Sequence, residues 1–309
     1  MLRKKLTGLL VSVSLFVTMT AAPLSAAPDT VQGKLALVER DTYGTEQVGA
    51  VLERINRLET DMVGSHLNDN MMARVNALYE RLYVNGEHPS ELAQLNAIEW
   101  CINHEVSMTP IQKRLSDMEM ALEGKTNTGT FSERIDALAK AAFGAAILPM
   151  EQVDVPADTL IKVALVTPVN AKTMKAGDHI DFKVAEDVII GNCLVFAKGE
   201  PGEGTAEKVT QARNFGRDAE VKINFERTKS IDGTFVDTFV GAEAGKKMDN
   251  MAMAAGASIA GIVALGPVGI ITGAFVNGKN VDIPAGTELY VQTKADSRLF
   301  GVRTKRDAL

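Results

Sequence analysis

The chain is poor in the residues that most catalytic chemistry uses. Its 309 residues include four histidines, two cysteines and one tryptophan, and aromatic residues make up 5%. His66, His88, His104 and His179 stand at no spacing from one another that would ligate a metal. HExxH, GxSxG and phosphate-loop motifs are missing. Cys101 and Cys193 are too few for a disulfide framework and read as small buried residues. One tryptophan and few other rings weaken the case for a sugar-stacking platform. Positive charge is also short, with 33 Lys and Arg against 39 Asp and Glu. An acidic chain is a poor partner for nucleic acid. These absences predict a protein that is not an enzyme and holds no cofactor or metal.

Charge is missing altogether from Asn250 to Gly278, a run of 29 residues flanked by Lys246, Lys247 and Lys279. Its length would cross a hydrocarbon core of ~30 Å as a helix. It is built from Gly, Ala, Ile and Val, and Gly266-Pro267 interrupts it. The N-terminus reads as a cleavable export signal: Arg3, Lys4 and Lys5, an apolar stretch from Leu6 to Met19, and a small-residue site at Leu24-Ser25-Ala26. Losing residues 1–26 removes three cations and moves the net charge from -6 to -9. The expected location is the periplasm or the outer membrane.

Between these two segments lies a repeat. Residues 35–84 align with 95–144 at an offset of 60 without a gap. Identical pairs include Leu35/Leu95, Glu39/Glu99, Arg54/Arg114, Glu59/Glu119, Gly64/Gly124 and Arg74/Arg134. Each copy reads as two amphipathic helices. The stripes are Val48, Val51, Ile55, Leu58 and Met62, then Leu67, Met71, Val75, Leu78 and Leu82; the second copy has Ile111, Leu115, Met118 and Leu122, then Phe131, Ile135, Leu138 and Ala142. Thr109-Pro110-Ile111-Gln112 and Thr130-Phe131-Ser132-Glu133 fit capping boxes, and Gly64, Gly124 and Gly144 fit helix stops. Arg54, Arg74, Arg114 and Arg134 are expected on a solvated or partly paired face. A helical bundle within one chain and a short oligomerising coiled coil both satisfy the spacing. The pattern resembles repeats in uncharacterised secreted proteins of bacteria with two membranes.

From Val153 the pattern changes to short alternating strands at 159–165, 179–184, 192–196, 219–225 and 235–240, separated by turns. That spacing predicts a small antiparallel barrel or sandwich. Gly199–Gly204 reads as an acidic hairpin loop; Glu200 and Glu203 lack the regular ladder of a calcium loop. An echo links Val155–Val163 to Ile283–Val291, each leaving a Pro-Ala turn, and predicts that they open and close one domain and pair as its first and last strands. The order of Pro-Ala-x-Thr strand, Ala176-Gly177-Asp178 strand, Asp187-Val188, Ala197-Lys198-Gly199, Asp232-Gly233 and a late Pro-Ala-Gly-Thr strand resembles the periplasmic β-barrel of the type IV secretion channel. That resemblance implies a helical hairpin inserted between late strands, where Met251–Val276 stands here. Where that family has an inner-membrane anchor and a Pro-rich spacer, this chain reads as a cleavable signal and a helical repeat, so substrate secretion is not implied.

Within the uncharged run, Ala252, Gly256, Ala260 and Ala264 recur every four residues, followed by Gly269 and Gly273. This interval lets helices approach closely in lipid. A turn at Gly266 and Pro267 leaves arms of about 12 residues, or ~18 Å each, too short to span singly. A kinked single span, a hairpin and an apolar loop compete. The echo favours the hairpin, since it puts both flanks in one domain. The expected architecture is α+β: a signal at 1–26, helical repeats at 31–147, a β domain at 153–302 with an apolar helical hairpin at 248–278, and a basic tail at 303–309. The expected partners are a membrane or other copies through 251–276, with the helical repeat contacting itself or an envelope protein. A soluble periplasmic adaptor or ligand-binding module with the hairpin buried is the alternative, and a cell-wall hydrolase is the third.

Overall fold

The computed structural model describes residues 28, 30–144, 148–212, 218–254, 262–263, 274–278 and 281–304. Six helices follow one another at 20-residue intervals: α1 (Val31–Tyr43), α2 (Val51–Met62), α3 (Met71–Tyr83), α4 (Glu91–Asn103), α5 (Ile111–Glu123) and α6 (Phe131–Phe143). The 60-residue offset therefore counts three short units at once, and each copy holds three helices rather than two. α4 escapes a periodicity test because it is covered on nearly every side, with Leu92, Ala93, Leu95, Asn96, Ala97 and Ile98 all buried.

Every helix turns the same two apolar places inward. Leu35, Ile55, Val75, Leu95, Leu115 and Ile135 occupy one, and Val38, Leu58, Leu78, Ile98, Met118 and Leu138 the other; all are buried. α1 lies against α3 and α5, α2 against α3 and α6, and α4 against α3, α5 and α6. The repeat is thus a bundle closed within one chain, not a coiled-coil stalk. α6 starts with a full capping box between Thr130 and Glu133. α5 does not: Pro110 stands at the N-cap with no side-chain bond, and the Thr109 hydroxyl lies 3.0 Å from that of Ser107 instead. Gly124 and Gly144 end their helices as expected, while Gly64 follows Val63, the residue that caps α2.

The four arginines are not on a solvated face. Each reaches back 15 residues to a buried glutamate of the preceding helix: Arg54 to Glu39, Arg74 to Glu59, Arg114 to Glu99 and Arg134 to Glu119. Arg74 donates to both Glu59 oxygens at 2.7 and 2.5 Å and also to Asn56 Oδ1 at 2.6 Å. The same carboxylates take a loop N–H eight residues on: Gln47 bonds Glu39, Ser107 bonds Glu99 and Asn127 bonds Glu119. One carboxylate therefore clamps a helix, the loop after it and the next helix. Burial works against the Glu59 charge, but the Arg74 bonds and charge outweigh it, helped by the Leu67 N–H and His66, and hold its carboxyl below the usual range. Between α3 and α4 the clamp is missing, because Tyr79 and Gln94 occupy its two positions.

The β half runs β1 (Met150–Val155), β2 (Leu160–Leu165), β3 (Val169–Asn170), β4 (His179–Val184), β5 (Val188–Ile190), β6 (Cys193–Phe196), β7 (Pro201–Thr210), β8 (Ala219–Lys229), β9 (Phe235–Phe239), α7 (Ala242–Ala254), β10 (Ile262–Val263), β11 (Ala274–Gly278), β12 (Asp282–Ile283), β13 (Glu288–Thr293) and β14 (Ser297–Arg303). β8, β7, β4, β2, β13 and β9 form a barrel of six antiparallel strands, closed by pairing of β9 with β8. Alternating residues fill it: Ile161 and Val163, Ile180 and Phe182, Val221, Ile223 and Phe225, and Leu289 and Val291 are buried. The two echo segments do pair, with Val163 opposite Leu289 and Ile161 opposite Val291, but as β2 and β13; the first and last strands of this half are β1 and β14, which pair with each other. β1, β14, β6 and β5 form a second, smaller sheet. Gly199–Gly204 is not a hairpin loop, since Pro201 to Gly204 already belong to β7. Gly202 is required there because a Cβ would lie 2.0 Å from the Phe182 ring. The Cys193 thiol is buried and donates to Glu151 Oε1 at 2.9 Å. Arg303, first residue of the expected basic tail, is the end of β14 and pairs with Glu151.

Candidate functional site

The uncharged run leaves and rejoins the barrel at two built points. Its departure is α7, which follows β9 and packs on β13. Ala244 and Met248 are buried in the barrel core, and Gln292 on β13 accepts the Ala244 N–H at 3.0 Å while donating to Asp158 at 3.1 Å. The return is β11, which pairs antiparallel with β8 from Ala274 opposite Ile223 to Gly278 opposite Ala219. β10 adds outside it, with Ile262 opposite Val276. β8 thus divides its free edge, giving residues 219–223 to β11 and 227–229 to β9.

This corrects part of the expected helical hairpin. The first arm is helical to Ala254, but the described part of the second arm is strand. The reason is local: Phe275 and Val276 favour extended backbone, and β8 offers an unpaired edge beside them. Of the small residues expected to make membrane or oligomer contacts, Ala252 lies in the last turns of α7. Gly256, Ala260, Ala264, Gly269 and Gly273, and the turn residues Gly266 and Pro267, lie outside the described residues. No helix among the described residues is long and apolar enough to cross a membrane.

The helical bundle is fastened to the barrel through α4. Asn96 is the pivot. Its Oδ1 accepts from Arg114 at 2.6 Å, as Asn56 does from Arg74, but its Nδ2 donates to Glu200 Oε1 and to the Ile231 carbonyl, both at 3.0 Å. Trp100 donates to Asp187 at 2.9 Å, and Val106 N–H bonds the Lys198 carbonyl at 2.8 Å. Glu105 pairs with Lys183 and Lys198. Ala97, Val106, Leu194, Ala197, Ile231 and Val302 form an apolar core at this joint. Gly199 adopts φ +94° and has no room for a side chain, since a Cβ would stand 2.1 Å from the Val106 carbonyl oxygen.

Beside the joint is a cavity of about 290 Å³ between α4, the start of α5 and strands β4, β7 and β8. Leu92, Met108 and Ile111 line it from the helices, and Glu200, Glu203 and Lys229 from the barrel. Burial pushes the Glu200 carboxyl up to about 8; Lys229 and Arg114 oppose the shift, and Glu99 and Asp232 add to it. Burial also lifts Glu203, against the two hydrogen bonds from Arg227 to its Oε2. Glu203 Oε1 is buried and has no hydrogen-bond partner among the described residues. A neutral Glu200 can donate a hydrogen bond and Glu203 Oε1 can accept one, and both residues line the cavity. Sequence reading missed this site because its walls come from segments about 100 residues apart. Among the described residues, no group of three or more His, Cys, Asp or Glu side chains is gathered as a metal site.

No family model matches the chain, and no curated protein does. Among solved structures the chain is similar to ComB10 of the Com type IV secretion system of Helicobacter pylori, at 16% identity and a TM-score of 0.26, over 46% of this chain and 88% of that one.

Proposed function

We propose that this chain is an exported, non-enzymatic structural or assembly protein of the cell envelope. Its barrel is the base from which the uncharged run meets a membrane or other copies. The carrying observation is that both ends of the run are fixed to one barrel, by α7 on β13 and by β11 on β8. Two anchors on one domain support a segment that goes out and comes back over a single crossing that would part its flanks. The helical bundle, clamped by four ion pairs to buried glutamates and docked through Asn96, supplies a rigid body on the same base.

The test replaces residues 255–273 with a Gly/Ser linker of equal length, which keeps α7 and β11. Cells expressing either form are then fractionated. The wild type is expected with envelope membranes or in assemblies, and the linker form free in the periplasmic fraction. Both forms free and monomeric would defeat the reading.

A second reading, a periplasmic ligand-binding module, is favoured by the cavity and by Glu203 Oε1, which has no hydrogen-bond partner among the described residues. Its occupant would be a small polar molecule with at least one hydrogen-bond donor.

A further inference from the structure

The 20-residue repeat contains a stacking interface that the chain uses twice and leaves open at both ends. In the first use, the N-terminal turn of α5 rides on the C-terminal turn of α1: a Cβ at Gly44 would lie 2.8 Å from Pro110 Cγ. In the second, α6 rides on α2. There a Cβ at Gly64 would lie 2.9 Å from Thr130 Cγ2, and the Ser132 hydroxyl donates to the Met62 carbonyl at 3.3 Å. Each helix therefore sits on the helix four units before it.

The residue that begins the upper helix is apolar and covered in both cases: Ile111 and Phe131 are each 2% exposed. In α2 and α3 the same position holds Val51 and Met71, which are 38% and 51% exposed. No described helix lies four units before them. Leu52 and Met72 beside them are also exposed. The other end mirrors this. Met62, under α6, is fully covered, whereas its equivalent Leu122 on α5 is 41% exposed, as is the nearby Met120 at 52%. Beside Gly124 and Gly144, a Cβ would find no described atom within 4 Å. α2 also begins as α5 does, with an N-cap residue that makes no side-chain bond to the helix. Terminal units of a free-standing repeat array carry polar outer faces; here both ends are apolar.

We infer that the open ends dock on each other between copies, with α2 and α3 of one molecule stacking on α5 and α6 of the next as α5 and α6 stack on α1 and α2 within a chain. Such a contact is heterologous, so it propagates head to tail or closes a ring. Two helix ends bury little area, which makes the contact weak and concentration-dependent. It is independent of the uncharged run.

The experiment is sedimentation velocity on the mature chain over a concentration series. Met71→Glu/Met72→Glu breaks the leading end, and Met120→Glu/Leu122→Glu the trailing end. Val51→Glu/Leu52→Glu is a second leading-end variant. All these positions are exposed, so melting curves should match the wild type; an end whose first variant melts early is judged from Val51→Glu/Leu52→Glu at the leading end and from Met120→Glu alone at the trailing end. The wild type is expected to associate as concentration rises, and each variant alone to stay monomeric. A mixture of one leading-end and one trailing-end variant should form a dimer and stop there, because it retains a single intact junction. A wild type that stays monomeric would overturn the inference. So would variants that associate like the wild type, or a mixture that gives no dimer.

Discussion

The two halves of this molecule hold together in different ways. The helical half uses one local contact four times, a glutamate bound by the arginine 15 residues later. The barrel closes through pairings between strands far apart in sequence, such as β2 with β13, and repeats no side-chain device. The clamp ties each unit to the next, and packing of α1 on α5 and α2 on α6 joins units four apart. A closed barrel depends on every strand being present. The joint between them borrows from both: Asn96 keeps its place in the repeat through Arg114 and spends its free amide on the barrel. The difference explains why the helical half can present open ends while the barrel has a fixed rim on which to seat the uncharged run.

Removing one clamp tests that contrast most severely. Arg74→Ala would leave Glu59 charged and buried, and should lower stability by about 3–5 kcal/mol. Urea unfolding followed by helix signal measures it. Arg54 is less buried than Arg74, so Arg54→Ala should lose less; equal losses would mean that burial does not set the strength of the clamp.

The joint gives the next effect, and it depends on pH. Below the ordinary glutamate pKa, Glu200 is protonated in both folded and unfolded chains. As pH rises towards about 8 the unfolded chain loses that proton while the folded chain keeps it, so stability falls with rising pH and levels off above that point. Glu200→Gln removes the fall while keeping an acceptor for Asn96. Relative to the wild type, the variant should gain up to about 5 kcal/mol between the low and high ends of that window. An unchanged difference between mildly acidic and mildly alkaline urea titrations would show that Glu200 does not couple the halves through its proton.

The smallest effect compares two helix starts. Thr130→Ala should lose about 1 kcal/mol, whereas Thr109→Ala should change stability by no more than a few tenths. The first removes a bond to the Glu133 N–H; the second removes none from α5.

Much of this architecture was legible because it lies in short windows. The capping box at Thr130, the strands at 179–184 and 219–225, and the β2–β13 pairing signalled by twin Pro-Ala turns all follow from residues within a few positions. The unit length was not legible, because Tyr79, Gln94 and Ala139 interrupt the Glu–Arg series and leave the 60-residue offset as the stronger signal. Nor were the ion pairs: an interval of 15 joins two helices, so no single-helix wheel places Arg74 beside Glu59. The cavity and Asn96 joint depend on contacts across 104 and 135 residues. The second arm of the uncharged run reads as helix from its length and small-residue spacing, against its Gly-rich composition, and its described part, 274–278, is strand where β8 offers an edge.

The most direct test of the functional account is flotation of the purified mature chain with vesicles of phosphatidylethanolamine and phosphatidylglycerol, beside the form carrying a Gly/Ser linker at 255–273. The account predicts that the wild type rises with the vesicles or sediments as assemblies in their absence, and that the linker form does neither. Two forms that both remain dispersed and monomeric would contradict it.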